Sequence, residues 1–360
     1  MKSPLLWSAA GLALTFALAG CGNNTAATSD TAATNGAMAE TAGTANTKLN
    51  AAGATFPYPV YAKWFNDYKA KTGVQINYQS VGSGAGIKQL KAKTVDFAGS
   101  DAPLKLAEAS AMTPPVVQIP SVGGAVVVAY NLPGVPTGLK LTGDEIAGIF
   151  SGTIKKWNDP ALKANNPGVN LPAANINVAH RSDGSGTTNI FTTYLSQVSP
   201  TWKAKIGAGK TVDWPVGVGG KGNDGVTAAI KQSAGGIGYI ELAYAIQNKL
   251  PVAAIKNAAG NFVAPSVETT TNAIEGALPL VQKDITAPIS NAPGAQAYPI
   301  AALTYLLVYS QGQNAGTTKA TTDFLKWAMT DGQSEAAKLD YAPLPDALIK
   351  INQTAIDGLK

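Results

Sequence analysis

Residues 180 to 191, HRSDGSGTTNIF, bring together several side chains that could do chemistry. The segment holds the chain's only histidine, His180, with Arg181, Asp183, four hydroxyl residues and two glycines. A histidine near a serine could activate a nucleophile, glycines could admit a nucleotide, and an arginine among hydroxyls could hold an anion. The predicted elements around the segment bear on the choice among these three interpretations.

Three turns in the sequence place a hydroxyl residue beside or near glycine at the start of a predicted helix. These residues are Thr55, Ser83 and Thr187. A helix start presents unpaired backbone N–H groups and a partial positive charge, so small hydroxyl and glycine residues there let an anion approach. Ordinary N-capping explains any one such turn. Three turns, one of them carrying Arg181, predict a shared oxyanion site.

The elements that position these turns alternate between strand and helix. Helical spacing of apolar residues predicts a helix that includes Pro57 in its first turn and ends at Gly73. A strand alternating from Val74 to Tyr78, a short helix through Ile87 and Leu90, and a strand ending at Ser100-Asp101 follow. Around the opening segment, INVAH predicts a strand and the stripe from Ile190 to Leu195 predicts a helix.

Two glycine-rich segments superficially resemble nucleotide-binding motifs. In GAGKT, residues 207 to 211, the first glycine of a P-loop would fall on Ala204, and the preceding TWKAKI is not a convincing strand. Gly217, Gly219 and Gly222 satisfy GxGxxG, but only a short strand-like run precedes them. We predict a loop there and no nucleotide site.

A serine hydrolase would need Ser185 in a nucleophile elbow with His180 as its base. The elbow requires glycine two residues before the serine, and Asp183 stands there. His180 would end its strand with its side chain opposite that of Arg181. A structural role for His180 is the simpler interpretation.

The composition excludes several classes of site. One histidine and one cysteine in 360 residues cannot supply a Cys/His zinc cluster, a disulfide framework or a cysteine–histidine pair. The basic residues are scattered, with no run longer than Lys155-Lys156, so nucleic acid is not an expected partner. No metal or cofactor is predicted, and the hydrophobic content of 45% is ample for a large core.

The N-terminus is typical of an exported lipoprotein. Lys2 and an apolar run predict a signal peptide over residues 1–20, and Leu18-Ala19-Gly20-Cys21 resembles a bacterial lipobox in which Cys21 carries lipid. Residues 21–47, rich in Ala, Thr, Asn, Gly and Ser, predict a flexible tether that cannot bury enough apolar surface to fold.

Several segments resemble, in order, the phosphate-binding proteins that serve ABC-type phosphate importers. They are GATFPYPVYAKW, VGSGAGIKQLKAKTVDFAGSDAPL, IFSGTIKKWNDP, HRSDGSGTTNIFTTYL, WPVGVGGKGNDGV, GGIGYIELAYAIQNKL and DYAPLPDALI. The resemblance extends from about Leu49 to Leu348. It implies an α/β fold of the two-lobed, class II periplasmic-binding-protein type, with the ligand in the cleft between the lobes. Lobe I would comprise 48–122 and 298–360, and lobe II 123–297.

The resemblance also implies which residues contact phosphate. They are Thr55, Phe56, Ser83, Asp101, Arg181, Ser185, Gly186 and Thr187, with Asp183 holding Arg181 in place. One departure concerns VGSG: many relatives have Ser-Ser-Gly-Gly where this chain has Ser83-Gly84-Ala85-Gly86, so a supporting hydroxyl is missing at Gly84. Asp101 accepts hydrogen bonds but donates none when ionised, so we expect it to select hydrogen phosphate over sulfate.

The expected protein is therefore a non-enzymatic carrier. It would be a monomer anchored through Cys21 to a bacterial membrane, periplasmic or at the cell surface, that passes inorganic phosphate to an ABC permease in the cytoplasmic membrane. Two alternatives remain open. One is a secreted phosphomonoesterase or other hydrolase using Ser185 and His180, and the other is an adhesion or sensing lipoprotein on the same scaffold.

Overall fold

The computed structural model describes residues 47–312 and 314–360. The predicted signal peptide over 1–20, the lipidation site at Cys21 and all but the last residue of the predicted tether lie outside the described residues. No helix in the described ranges combines the length and apolarity needed to cross a bilayer.

Strands and helices alternate through most of the described chain. The strands are β1 (Lys48–Gly53), β2 (Gln75–Ser80), β3 (Phe97–Ser100), β4 (Val116–Asn131), β5 (Lys140–Leu141), β6 (Asn177–Arg181), β7 (Val218–Gly220), β8 (Gly236–Glu241), β9 (Ala254–Lys256), β10 (Phe262–Val263) and β11 (Ala301–Tyr309). The helices are α1 (Tyr58–Thr72), α2 (Ser83–Lys91), α3 (Leu106–Ser110), α4 (Gly143–Phe150), α5 (Pro160–Asn165), α6 (Gly186–Val198), α7 (Pro200–Lys205), α8 (Gly222–Gln232), α9 (Leu242–Gln247), α10 (Val267–Val281), α11 (Ala315–Ala328), α12 (Asp331–Ala336) and α13 (Asp346–Asp357).

The first helix shows how the local sequence produces these elements. The residues buried by α1 recur at helical spacing, and Gly73 ends the helix in the left-handed region with φ of 80°. On the buried face, the Phe65 and Phe324 ring centroids lie 5.4 Å apart, which joins α1 to α11. The prediction of this helix is confirmed, except that Pro57 precedes its first turn instead of belonging to it.

Eight strands form one mixed sheet in the order β2-β1-β3-β11-β4-β8-β6-β7. On one side β1 is parallel to β2 and β3, and on the other β6 is parallel to β7 and β8. The central strands β11 and β4 pair antiparallel with their neighbours. Strands of the two sides therefore run in opposite directions, and the carboxyl ends of both sets point toward the middle of the sheet. A second sheet of three short strands has the order β10-β9-β5.

The sixteen-residue strand β4 joins the two sides. Residues 116 to 125 pair with β11, and residues 126 to 131 pair with β8. The register shifts between Thr304 and Tyr305 of β11, opposite Ser121, which marks a β-bulge. The predicted lobe boundary at 122/123 thus falls within a continuous strand. The division into 48–122 with 298–360 and 123–297 stays a prediction.

One of the two segments considered as nucleotide motifs has its predicted structure and the other does not. The prediction that TWKAKI is not a strand is confirmed, because it lies almost wholly in helix α7, started by Pro200 and capped by the Ser199 hydroxyl. The glycine-rich run at 217 to 222 is not simply a loop, because Val218–Gly220 forms β7 and Gly222 begins α8. Pairing of β7 with β6 supplies hydrogen bonds that local sequence does not reveal.

Glycine allows α2 to pack directly on the first strand. A Cβ atom on Gly86 would lie 2.4 Å from the Gly53 Cα and 2.6 Å from the Ala52 carbonyl oxygen. Both contacts are with backbone, which cannot move aside as a side chain can. The close approach places Ser83, at the start of α2, beside the ends of β1 and β3.

We expect Gly86→Ala to destabilise the protein by about 2 kcal/mol or more, because the clash outweighs the helix propensity that alanine adds. Urea denaturation followed by circular dichroism measures the change. Gly316→Ala is the matched control, since Gly316 is exposed in α11 and no backbone atom faces its Cβ position. Equal stabilities for the two variants would contradict the packing argument.

Candidate anion-binding site

The residues predicted to contact an anion come together near the bulged middle of the central strands. Their side chains are all nearly fully buried: Thr55, Phe56, Ser83, Asp101, Arg181, Ser185 and Thr187 are at most 4% exposed. Those before residue 102 follow β1, β2 and β3, and those after residue 180 lie on β6 and at the start of α6. Strand direction explains the meeting, because both sets of parallel strands end here.

Ser83 makes a direct contact between the two groups. Its Oγ accepts hydrogen bonds from the amide of Asp101 at 3.3 Å and from the amide of Gly186 at 3.2 Å. A Cβ atom on Gly186 would lie 2.5 Å from Asp101 Oδ2 and 2.7 Å from Ser83 Oγ. Glycine is therefore required at 186. The amide of Gly84 donates to the Gly184 carbonyl at 2.8 Å, so the position without a hydroxyl joins the groups through backbone.

Arg181 and Asp183 form a bidentate ion pair. Arg181 Nε lies 2.8 Å from Asp183 Oδ1, and Nη2 lies 2.6 Å from Oδ2. Burial acts to raise the pKa of Asp183, but the hydrogen bonds and charge of Arg181, with the amide of Gly222, outweigh it and hold that pKa below its usual value. Arg181 Nη1 also donates to Thr187 Oγ1 at 3.2 Å. The guanidinium is thus oriented by partners on both sides.

Asp101 is the acidic member of the cluster. Its Oδ1 accepts a hydrogen bond of 2.8 Å from the Thr304 hydroxyl on β11. Burial raises the pKa of Asp101 to about 7, which the Thr304 hydroxyl and the charge of Arg181 only partly oppose. Near neutral pH its carboxyl therefore titrates. The other oxygen, Oδ2, faces Gly186 and the helix start.

The hydroxyls at two of the predicted helix starts, those of α6 and α1, make different hydrogen bonds. Ser185 is the N-cap of α6, and its Oγ accepts from the Thr188 amide at 3.0 Å. Thr55 does not cap α1, since no side chain does. Its Oγ1 instead accepts from the amide of Asn223 at 3.1 Å and from Asn223 Nδ2 at 2.7 Å. The prediction that Thr55 lies near an N-cap is correct in position only.

Two buried amides at the site have no protein acceptor within the described chain. Neither the N–H of Phe56 nor that of Thr187 donates to another described atom. The carbonyl of Thr55, which shares a peptide with the Phe56 N–H, accepts from the Tyr244 hydroxyl at 2.6 Å and from the Tyr58 amide at 3.2 Å. That peptide is held rigidly with its donor unused. An unpaired buried N–H is costly unless a ligand takes it.

Sequence reasoning missed Asn223, which is fully buried at the start of α8. It contacts Thr55, Thr187 and the amide of Glu241. The available signal was a fourth turn of the same kind: a short strand, a glycine, a small polar residue and a helix at 218 to 232. The prediction of a loop for the glycine-rich run is wrong there and leaves this repetition out.

Tyr341 and Glu241 also support the loop after β1. The Tyr341 hydroxyl donates to the Phe56 carbonyl at 2.6 Å and lies 3.0 Å from Glu241 Oε2. Burial raises the pKa of Glu241 well above its ordinary value. Glu241 Oε2 also accepts from the amide of Ala243 at 2.8 Å, so the start of α9 and the loop after β1 share the Tyr341–Glu241 contact.

His180 has a structural environment. Its ring stacks on Trp214, with centroids 5.0 Å apart and planes 13° apart, and Nδ1 lies 3.1 Å from the Arg181 carbonyl oxygen. No hydrogen bond joins it to Ser185 within the described chain. Nor do the described ranges contain a group of three His, Cys, Asp or Glu residues placed to hold a metal ion.

Comparison with known proteins identifies the family of the chain. Residues 25–332 match the family model of the PBP superfamily domain. A phosphate-binding protein PstS of Xylella fastidiosa is 49% identical over 85% of this chain and 84% of its own length. PstS of Methanocaldococcus jannaschii is 41% identical over 87% and 86%.

Solved structures share the fold at lower sequence identity. A high-affinity periplasmic phosphate-binding protein, PfluDING, solved with bound phosphate, has a TM-score of 0.66 and 24% identity, covering 87% of this chain and 98% of that one. This structural neighbour supports the two-lobed α/β architecture. With relatives of 41 to 49% identity along most of its length, the chain belongs to the PstS family of phosphate-binding proteins within the PBP superfamily.

Proposed function

We propose that this protein captures inorganic phosphate at the buried cluster and delivers it to an ABC permease in the cytoplasmic membrane. The observation that carries the proposal is the bidentate Arg181–Asp183 pair among buried hydrogen-bond donors from several helix starts. Three of the five guanidinium N–H groups go to Asp183 and Thr187. The remaining two can meet two oxygens of one anion.

The ligand contacts follow from this donor set. Thr55, Phe56, Ser83, Arg181, Ser185 and Thr187 would surround the anion with hydroxyl, amide and guanidinium donors. Gly186, whose amide donates to Ser83, would leave room for the anion, and Asp101 would be its one acceptor. Hydrogen phosphate presents bare oxygens and one hydroxyl, so it complements such a set. Sulfate has no hydrogen for an ionised Asp101 and would place an oxygen lone pair against it.

We propose a binding role without a catalytic step. A hydrolase using Ser185 would need a base, and His180 is stacked on Trp214, while the Ser185 oxygen caps α6. Export, lipidation at Cys21, the tether over 21–47 and a monomeric state complete the proposal. The lobes over 48–122 with 298–360 and over 123–297 would close on phosphate between them.

Titration calorimetry with phosphate at neutral pH tests the proposal directly. We expect saturable binding, and Arg181→Ala should weaken it roughly 30- to 150-fold, equivalent to about 2 to 3 kcal/mol for a charge-assisted contact in a desolvated site. Lys155→Ala removes the same charge from an exposed side chain and should bind as the unaltered protein does. No heat and no melting shift at millimolar phosphate would refute phosphate capture.

A second prediction concerns selectivity. Asp101→Asn can donate through its amide, so we expect the ratio of phosphate to sulfate affinity to narrow by at least about tenfold with nearly unchanged melting temperature. Competition titrations measure the ratio. Asp213→Asn, at an exposed position, is the control. If Asp101→Asn rejects sulfate as strongly as the unaltered protein, the discriminating residue lies elsewhere.

A third prediction follows from the pKa of Asp101. Since burial raises it to about 7, the carboxyl carries a proton below that pH and can donate to sulfate, whereas above it the ionised form repels sulfate. Sulfate affinity should fall about tenfold per pH unit above roughly 7 and level off below it. The Asp101→Asn variant should lack this slope. A sulfate affinity independent of pH in the unaltered protein would contradict the assignment.

A further inference from the structure

We infer that Asn223 sets the direction of two hydroxyl hydrogens at the site, so that Thr55 and Thr187 can only donate to the bound ligand. Asn223 is then a positioning residue that makes the site selective for an anion whose oxygens accept hydrogen bonds. The inference rests on the proposed phosphate function, because it concerns the ligand of that same site.

The orientation of the Asn223 amide is determined by a backbone group. The N–H of Glu241 lies 2.9 Å from Asn223 Oδ1, and a backbone N–H can only donate. The oxygen of the amide must therefore face Glu241. The nitrogen, with two hydrogens, faces the hydroxyls of Thr55 at 2.7 Å and Thr187 at 3.3 Å.

Both acceptor positions of the Thr55 oxygen are occupied by Asn223. One is taken by Nδ2 and the other by the backbone amide at 3.1 Å. A hydroxyl has two acceptor sites and one hydrogen. The hydrogen of Thr55 is therefore directed away from Asn223, and it has no acceptor among the other described residues. It remains available to an oxygen of the ligand.

Thr187 is arranged in the same way by two different donors. Its Oγ1 accepts from Asn223 Nδ2 and from Arg181 Nη1 at 3.2 Å, and neither group can accept in return. The Ser83 oxygen is held without Asn223, since it accepts from the amides of Asp101 and Gly186, and its hydrogen can also reach the Asp101 carboxyl. Ser83 therefore provides an internal control: its two donors are both backbone amides, whereas Thr55 and Thr187 each take one of their two donors from the Asn223 side chain.

The consequence is a site whose neutral hydroxyls act as fixed donors. A hydroxyl free to rotate can turn either its hydrogen or a lone pair toward a ligand, and so accepts both kinds of partner. Here rotation would break a hydrogen bond to a buried donor, which is unfavourable in a dry interior. The exposed fraction of Asn223 is 0%, so water does not replace that bond.

Pairs of substitutions test the inference through phosphate affinity measured by calorimetry. In the unaltered background, Thr55→Val and Ser83→Ala should each weaken binding about tenfold. In the Asn223→Ala background, Thr55→Val should cost at most about threefold, because one acceptor position of that hydroxyl is then empty and only the backbone amide of residue 223 still donates to it, whereas Ser83→Ala should still cost about tenfold. A purely structural role for Asn223 would lower affinity without this difference between Thr55 and Ser83.

A measurement on the unaltered protein covers the case in which Asn223→Ala fails to fold. Neutron diffraction from phosphate-loaded crystals locates the hydroxyl deuterium atoms. We expect those of Thr55 and Thr187 to point at phosphate oxygens. Deuterium directed at Asn223 from either hydroxyl, or equal coupling of Asn223 to Thr55 and Ser83, would overturn the inference while phosphate binding stood. Absence of phosphate binding in the unaltered protein would overturn the proposed function and this inference together.

Discussion

The pair of buried Arg181 and partly buried Asp183 is the interaction on which the arrangement of the site depends. Asp183 accepts from Arg181 and from the amide of Gly222, which ties the segment after β6 to the start of α8. A Cβ on Gly82 would lie 2.1 Å from Asp183 Oδ2, so the segment after β2 also packs on this carboxylate. A buried ion pair of this kind is tolerated only when its remaining hydrogen-bonding groups are satisfied. Meeting that condition holds three loops in one place.

Burial also determines the properties of two further carboxyls, those of Asp101 and Glu241. Asp101 and Glu241 both have raised pKa values because burial disfavours their ionised forms, yet they do different work. Glu241 lies behind the site, where its Oε2 is 3.0 Å from the Tyr341 hydroxyl that holds the Phe56 carbonyl. Asp101 faces the cluster with one oxygen held by Thr304. Glu241 therefore supports a loop behind the site, whereas Asp101 faces the cluster itself.

Much of the fold was predictable from local patterns. Helical spacing and Gly73 located the first helix, alternation located β2, and the hydroxyl and glycine residues marked three of the turns. The prediction from local patterns was wrong where pairing with a neighbouring strand decides the secondary structure. Val218–Gly220 has little strand character of its own and becomes a strand beside β6. The prediction that TWKAKI is not a strand is confirmed, since it forms a helix after a capping serine and a proline. Asn223 was missed because it lies shortly after the strand Val218–Gly220, at the start of α8.

The sequence by itself determined the class of protein and the chemistry of its ligand. Residue types at successive helix starts, one arginine among them and the scarcity of histidine and cysteine indicated an anion site without a metal or a nucleophile, and the ordered segments indicated the family. Only the tertiary structure decided which groups are donors. Donor and acceptor roles depend on which groups face each other: the direction of a hydroxyl hydrogen, the orientation of an amide and the proton on a buried carboxyl are all set by neighbouring groups. Asn223 and Thr55, which share a hydrogen bond, are 168 positions apart in the sequence. Local sequence carries no information about partners that folding alone brings within hydrogen-bonding distance.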